Sequence, residues 1–349
     1  MVNMKGLKKM KRIITKILAK LGYTIKRIEK PTKIRTISNH LINHNFTVDT
    51  FQYANMQSKH IMSFKEKLNG GGYSLKDFDC PICATKHSTN IGTSEEGFKW
   101  GVCKKCGLTQ NYCRLKNEDI NTFYESGEYQ AICMGDLDDK VHFDLEYKIM
   151  SKCFIDIFKS MSIVPSEIKI MEIGCGSGGI LLALKEFGVH SLKGYDIDRH
   201  RISYGMNFLE ELEVADALAL KTSEFKEYNY ILLSNILEHL TDPLVFLSKL
   251  SQQLENDEIK VIIDIPNLET CYGYSDLFGK FLHIGHIWYF NSTTIERLLN
   301  QAGIKIDSIF PRKAAFTIIC SKSSEQVTNT NNSYWNSISS INYSNYINR

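Results

Sequence analysis

No run of 18 or more apolar residues occurs in these 349 residues, so no segment reads as a helix that crosses a bilayer. A secretory signal is lacking too: the apolar residues near the start are broken by lysines and no small-residue cleavage site follows, which places the expected protein in a reducing, cytoplasmic compartment. Of the ten cysteines, six (113, 133, 153, 175, 271 and 320) are scattered, which argues against a disulfide framework. A large net charge is absent as well, at +3, but the balance hides an asymmetry. Residues 1–35 hold twelve Lys/Arg against one acid, Glu29, leaving the remainder at −8. An acidic body is a poor general nucleic-acid binder, whereas the basic arm suits an anionic membrane or polymer.

At 43% hydrophobic and 11% aromatic, the chain has enough apolar mass for one large domain and a small one. Leu7, Met10, Ile14, Ile17, Leu18 and Leu21 fall at helical spacing with lysines on the opposite face. Residues 1–30 therefore read as a basic amphipathic helix that docks on its own protein or a partner, or lies peripherally on the inner face of a membrane. Pro31 ends that pattern. Residues 31–72 form an unassigned linker closing on Gly70-Gly71-Gly72, and residues 322–349, rich in Ser, Asn and Thr, read as a disordered tail.

Residues 73–115 carry Cys80-Pro-Ile-Cys83 and Cys103-Lys-Lys-Cys106, a C-x2-C-x19-C-x2-C pattern. Each pair aims two thiolates at one point, and the intervening residues form a hairpin that joins the pairs, so the module reads as zinc-ribbon-like. Four sulfurs leave no open coordination position, which makes the expected zinc structural. His87 and Cys113 read as bystanders.

The most informative stretch is IKIMEIGCGSGG, residues 168–179: a short apolar strand ending in Glu172, then a loop with glycines at 174, 176 and 178, then a helix start. Missing Cβ atoms let an adenosine-bearing ligand lie against the backbone. The same letters satisfy G-x-G-x-x-G, with Asp196 about 20 residues later, so a nicotinamide-binding reading stands beside it. LKGYDID (192–198) is a second strand ending at Asp196, placed for ribose hydroxyls. EVADA (213–217) is a third, with Asp216 where adenine's amino group would sit. YNYILLSNILEHL (228–240) is a fourth strand turning into a helix, and KVIIDI gives a fifth, stopped by Pro266. Two last strands, near 304–309 and 316–320, flank Pro311-Arg312-Lys313. Alternating strands and helices imply a parallel sheet covered on both faces.

This ordered set resembles the class I S-adenosylmethionine-dependent methyltransferases over roughly residues 145–321. The resemblance implies an α/β fold with a seven-stranded Rossmann-like sheet ending in an antiparallel hairpin. It also implies S-adenosylmethionine contacts at Glu172, Gly174, Cys175, Gly176, Gly178, Asp196, Ile197, Asp216, Ala217 and Ser234, with Cys175 filling space in the loop. Gly107-Leu108 and the FYESGEY stretch (123–129), within a connecting or lid segment at 116–144, resemble the zinc-binding front end of bacterial methyltransferases that act on sugars and surface glycans. Deoxysugar C-methyltransferases of that group carry a serine-rich tyrosine motif and a further C-terminal domain that this chain lacks, so O-methylation fits better.

Methyl transfer needs alignment, exclusion of water and a base. Glu238-His239, on the rim beyond the fourth strand, supplies His239 as candidate base with Glu238 orienting it, although LEHL also suits a packing role. In FLHIGHIWYF (281–290), expected to cap the pocket, His286, Trp288 and Tyr289 are candidates for sugar contact. His283 with His286 is a poor second metal site, as no carboxylate joins them at ligand spacing. The rival enzyme is a zinc-containing RNA methyltransferase, disfavoured by the acidic body and by the lack of an Asn/Asp-Pro-Pro-aromatic motif. A methyltransferase-fold protein that binds without turnover is the rival of another class. Sequence alone assigns no oligomeric state.

Overall fold

The structure, a computed structural model, describes residues 50–323 apart from 87, 95, 135–137, 218, 255–257, 270–281, 283 and 313–314. The amphipathic pattern at 7–21, His283 and nearly all of the polar tail lie outside the described residues.

In chain order the elements are α1 (Thr50–Asn69), β1 (Leu75–Asp77), β2 (Ser88–Thr93), β3 (Lys99–Cys103) and β4 (Thr109–Leu115), then α2 (Asn117–Glu125), α3 (Glu128–Met134) and α4 (Asp139–Leu145). A π-helical turn, Glu146–Met150, runs into α5 (Ser151–Ser160). The alternating part follows: β5 (Lys169–Ile173), α6 (Gly179–Glu186), β6 (Ser191–Asp196), α7 (Arg199–Gly205), β7 (Leu212–Val214), α8 (Thr222–Phe225), β8 (Tyr230–Ser234), α9 (Pro243–Gln253) and β9 (Lys260–Pro266). The chain closes with β10 (Trp288–Tyr289), α10 (Ser292–Gln301), β11 (Ile304–Pro311) and β12 (Ala315–Lys322).

The main sheet has seven strands in the order β11-β12-β9-β8-β5-β6-β7. Strands β7, β6, β5, β8 and β9 are parallel, and β12 inserts antiparallel between β9 and β11. Strands of this kind are apolar on both faces, because helices cover both. The pleat sorts them: Met171, Ile173, Ile231, Leu233, Val261 and Ile263 enter one core, Ile170, Leu232 and Ile262 the other. Helix starts carry local signals. Asp198 caps α7, its carboxylate accepting from His200 and Arg201 N–H, and Asp242 caps α9 in front of Pro243.

The cysteine module is antiparallel, in the order β1-β4-β3-β2, and β10 pairs with the stretch of β4 that β1 leaves uncovered, Trp288 opposite Gln110 and Tyr289 opposite Thr109. One continuous core holds Phe64, Tyr73, Phe98 and Leu108 from the N-terminal part together with Ile263, Trp288 and Leu298 from the main domain. Two expectations need correction. LEHL is a turn and no helix begins there; α9 starts only at Pro243, where Asp242 can cap it. Trp288 and Tyr289 are 1% exposed each, so neither offers a ring face for sugar stacking: both are consumed in joining β10 to the cysteine module.

Candidate active site

β5 lies between β6 and β8, where the strand order reverses, and ligands of open α/β sheets bind at the carboxyl ends of such a pair. The glycine loop emerges there. Gly174 and Gly176 take φ of 73° and 57°, the left-handed region. A Cβ on Gly174 would come within 1.8 Å of Ile236 Cδ1, and one on Gly176 within 2.4 Å of Arg201 Nη2 and 2.5 Å of Glu146 Oε1. Ile236 thus packs the turn after β8 directly over the loop after β5.

Asp196, ending β6, holds this loop: its Oδ2 accepts from Gly176 N–H at 2.7 Å and its Oδ1 from Asp198 N–H at 2.8 Å. Burial raises its pKa, with the Arg201 guanidinium opposing. Beneath the loop the Arg201 guanidinium donates to Glu146 Oε1, and Glu146 Oε2 accepts from Gly179 N–H at 3.1 Å, capping the first turn of α6. This pair was missed by sequence reasoning, since Glu146 sits in a π-helical turn that no local pattern announces. Such turns occur often at functional sites.

Glu172 is 1% exposed and its Oε2 has no hydrogen-bond partner. Burial, then the Glu146 and Asp196 charges, raise its pKa well above the carboxylate range. Ser234 Oγ, at the end of β8, is likewise buried without a partner. Two orphaned polar groups beside one glycine loop fit a ligand with an ammonium group and polar edges. Ile197 stands 61% exposed past β6, an open apolar surface beside Asp196. Past β7, Asp216 is exposed on the rim, and Ala217 lines an open cleft of about 280 Å³ with Phe225 and Phe246. Cys175 is buried against β6, where a Cβ on Gly194 would lie 2.8 Å from its sulfur, and burial raises its thiol pKa. It fills space.

The turn after β8 gathers a second cluster. Single ligand atoms of Glu238, His239 and His286 lie within 4.8 Å of one another. Glu238 Oε1 is 3.9 Å from Nε2 of each histidine, so it does not orient His239; that role falls to the Gly285 carbonyl, 2.5 Å from His239 Nδ1. His286 Nδ1 bonds the Tyr289 hydroxyl at 2.8 Å. Burial pushes Glu238 up to about 8 and His239 down to about 4. Tyr129 of α3 meets the His239 ring edge-on at 5.5 Å, so the FYESGEY stretch reaches this cluster. The turn is tied down from the β10 side: Ile287 N–H donates to the Glu238 carbonyl at 2.8 Å and Trp288 Nε1 to that of Leu240 at 2.6 Å.

Residues 149–309 match the family model of a methyltransferase domain. The chain carries a methyltransferase domain over those residues. No curated protein matches it. Similar solved structures include magnesium protoporphyrin IX methyltransferase from Synechocystis PCC 6803 with bound S-adenosylhomocysteine, at 13% identity and TM-score 0.42 over 60% of this chain and 100% of that one. Another is an 8-amino-8-demethyl-D-riboflavin dimethyltransferase from Streptomyces davawensis, at 20% identity and TM-score 0.38 over 53% of this chain and 58% of that one.

The methyltransferase has its four patterned cysteines in one place. Cys80 and Cys106 sulfurs are 3.4 Å apart, as are those of Cys83 and Cys103. Both C-x2-C segments fold alike: Ala84 N–H donates to the Cys80 carbonyl and Gly107 N–H to that of Cys103, each at 2.8 Å, with positive φ at Ala84 and Gly107. Among the described residues no helix is long and apolar enough to cross a membrane.

Proposed function

We propose that the methyltransferase acts on a hydroxyl group of a sugar, in a nucleotide sugar or a cell-surface glycan. The observation that carries this reading is the Glu238, His239, His286 cluster, which Ile236 presses against the cofactor loop. S-adenosylmethionine supplies an electrophilic methyl group on a sulfonium. In this reading Glu172 receives its ammonium, Asp196 its ribose hydroxyls, Asp216 the adenine amino group, and Gly174 to Gly178 the main-chain surface between them. Ile197, Ala217 and Ser234 complete the walls. His239, with Nδ1–H donated to Gly285, offers the Nε2 lone pair to the acceptor hydroxyl; its oxygen bonds the methyl carbon as the carbon–sulfur pair returns to sulfur. His286 steers the acceptor.

The cysteines hold a structural zinc ion in this proposal. Sulfurs around tetrahedral zinc stand about 3.8 Å apart at Zn–S of about 2.3 Å, so separations of 3.4 Å need little adjustment. The zinc module then supports chemistry indirectly, since β4 carries β10 and β10 carries the Glu238 to Leu240 turn. The basic residues 1–35 suit an anionic surface near which lipid-linked glycans are assembled.

The test is incubation of the full chain with methyl-labelled S-adenosylmethionine and cell extract, fractionated into nucleotide sugars, lipid-linked glycans, RNA and protein. Label is expected in a sugar fraction. Label confined to RNA would replace this reading with that of an RNA methyltransferase, and cofactor binding without any labelled product would favour a non-catalytic binding protein.

A further inference from the structure

The acceptor end of the site contains a carboxylate and two imidazoles arranged as a ligand set. Glu238 is fully buried, yet neither of its oxygens has a hydrogen-bond partner. An unsatisfied buried carboxylate is costly unless something positive meets it. What faces it is two imidazole Nε2 atoms, each 3.9 Å from Oε1. Both rings are held through the other nitrogen, His239 by the Gly285 carbonyl and His286 by the Tyr289 hydroxyl. That is the outer-shell pattern of metal-bound histidine, in which a partner on one nitrogen fixes the ring and leaves the other as ligand. We propose that Glu238, His239 and His286 bind a divalent first-row metal ion, separate from the four-cysteine site.

Two ligands about 2.1 Å from a metal, at angles of 90–110°, lie about 3.0–3.4 Å apart, so the present 3.9 Å closes by about 0.5–0.9 Å on binding. Anchoring is strong where it has to be. Glu238 and His239 share a turn whose carbonyl groups are tied to β10, and His286 enters the same strand two residues before Trp288. Two nitrogens and one carboxylate leave at least one coordination position for oxygen ligands, unlike the closed set of four sulfurs. Resting on the hydroxyl-methylation reading, the role follows: with its Nε2 lone pair on the cation, His239 acts as a ligand in place of a base, the acceptor hydroxyl takes an open position in place of water, and the cation favours loss of its proton to solvent. The oxygen lone pair then bonds the methyl carbon as the carbon–sulfur pair stays on sulfur.

The probe is Mn2+, a hard ion that a four-thiolate site discriminates against. The full chain is dialysed against a chelator, its zinc content is checked, and Mn2+ is titrated while the free-ion electron paramagnetic resonance signal is followed. One Mn2+ per chain is expected, with nitrogen coupling from imidazole in the echo-modulation spectrum. Glu238→Gln and His286→Ala should each weaken binding at least tenfold while zinc content, melting temperature and S-adenosylmethionine affinity stay within error. Absence of bound Mn2+, bound Mn2+ without nitrogen coupling, or equal affinity in both variants overturns the proposal. Because Mn2+ and methyl transfer are measured separately, sugar labelling by a chain that binds no metal refutes the metal alone, and metal binding with no sugar product refutes only the acceptor.

Discussion

Asp196→Ala separates two roles that one carboxylate performs. Without cofactor, Asp196 accepts from Gly176 and Asp198 N–H at 2.7 and 2.8 Å, and its removal leaves both donors unpaired beneath the loop. A hydrogen bond to a charged acceptor contributes about 1.5–3 kcal/mol, so two such bonds put the expected loss near 3 kcal/mol even at the low end. At about 2–4 °C per kcal/mol for a domain of this size, the cofactor-free melting temperature should fall by about 6–12 °C. Asp196→Asn retains one acceptor oxygen and should lose roughly half as much. Calorimetric titration reads the second role, cofactor binding, where S-adenosylmethionine affinity should drop by more than about 1.5 kcal/mol, over tenfold, as the ribose contacts go. A melting temperature within about 2 °C of the parent would refute the claim that Asp196 holds the loop. Unchanged affinity would reject its assignment to the ribose.

Gly176→Ala should cost about 3 kcal/mol or more in urea unfolding, because left-handed backbone strain adds to a Cβ that collides with the Glu146–Arg201 pair. The control is Gly71→Ala, whose φ is also positive but whose Cβ meets nothing within 4 Å; a cost equal to that of Gly176→Ala would remove the collision from the explanation. Glu172 carries a raised pKa, so the folded cofactor-free protein keeps a proton the unfolded chain releases above about pH 4.3. The sign follows: its contribution to stability is complete below that pH and is lost as pH rises through the folded value, a slope that Glu172→Gln should flatten. An arriving ammonium group should expel the proton, so titrations in buffers of differing ionisation enthalpy should show proton release with the parent and none with Glu172→Gln. Under the zinc proposal, Cys103→Ser should abolish zinc binding by the full chain and, through β4 and β10, slow methyl transfer while S-adenosylmethionine affinity survives. Full activity in a zinc-free variant would dissociate the module from the active-site turn.

Much of this enzyme is written locally. The glycine loop, the carboxylates that end strands, the caps at Asp198 and Asp242 and the paired C-x2-C turns each depend on a few consecutive residues, because backbone φ, capping bonds and thiolate aim are set within a turn. The seven-stranded sheet and its closing antiparallel hairpin are implied by the resemblance those pieces carry, since parallel strands need helical crossovers and the last hairpin needs none, whereas the strand order came only with the structure. Other features needed distance to vanish. The aromatic residues of FLHIGHIWYF read as ligand contacts because a sequence does not show which sheet edge is open; the fold buries Trp288 and Tyr289 as an added strand on β4. Glu146 meets Arg201 only because the π-helical turn and α7 converge on the glycine loop. His286 reaches Glu238 and His239 only because β10 returns to the turn after β8. What the sequence determined by itself was the cofactor cradle and the cysteine knuckles, both short-range. What tertiary structure alone decided was the Glu238, His239 and His286 cluster, where burial pushes Glu238 up and His239 down and segments far apart in the chain meet.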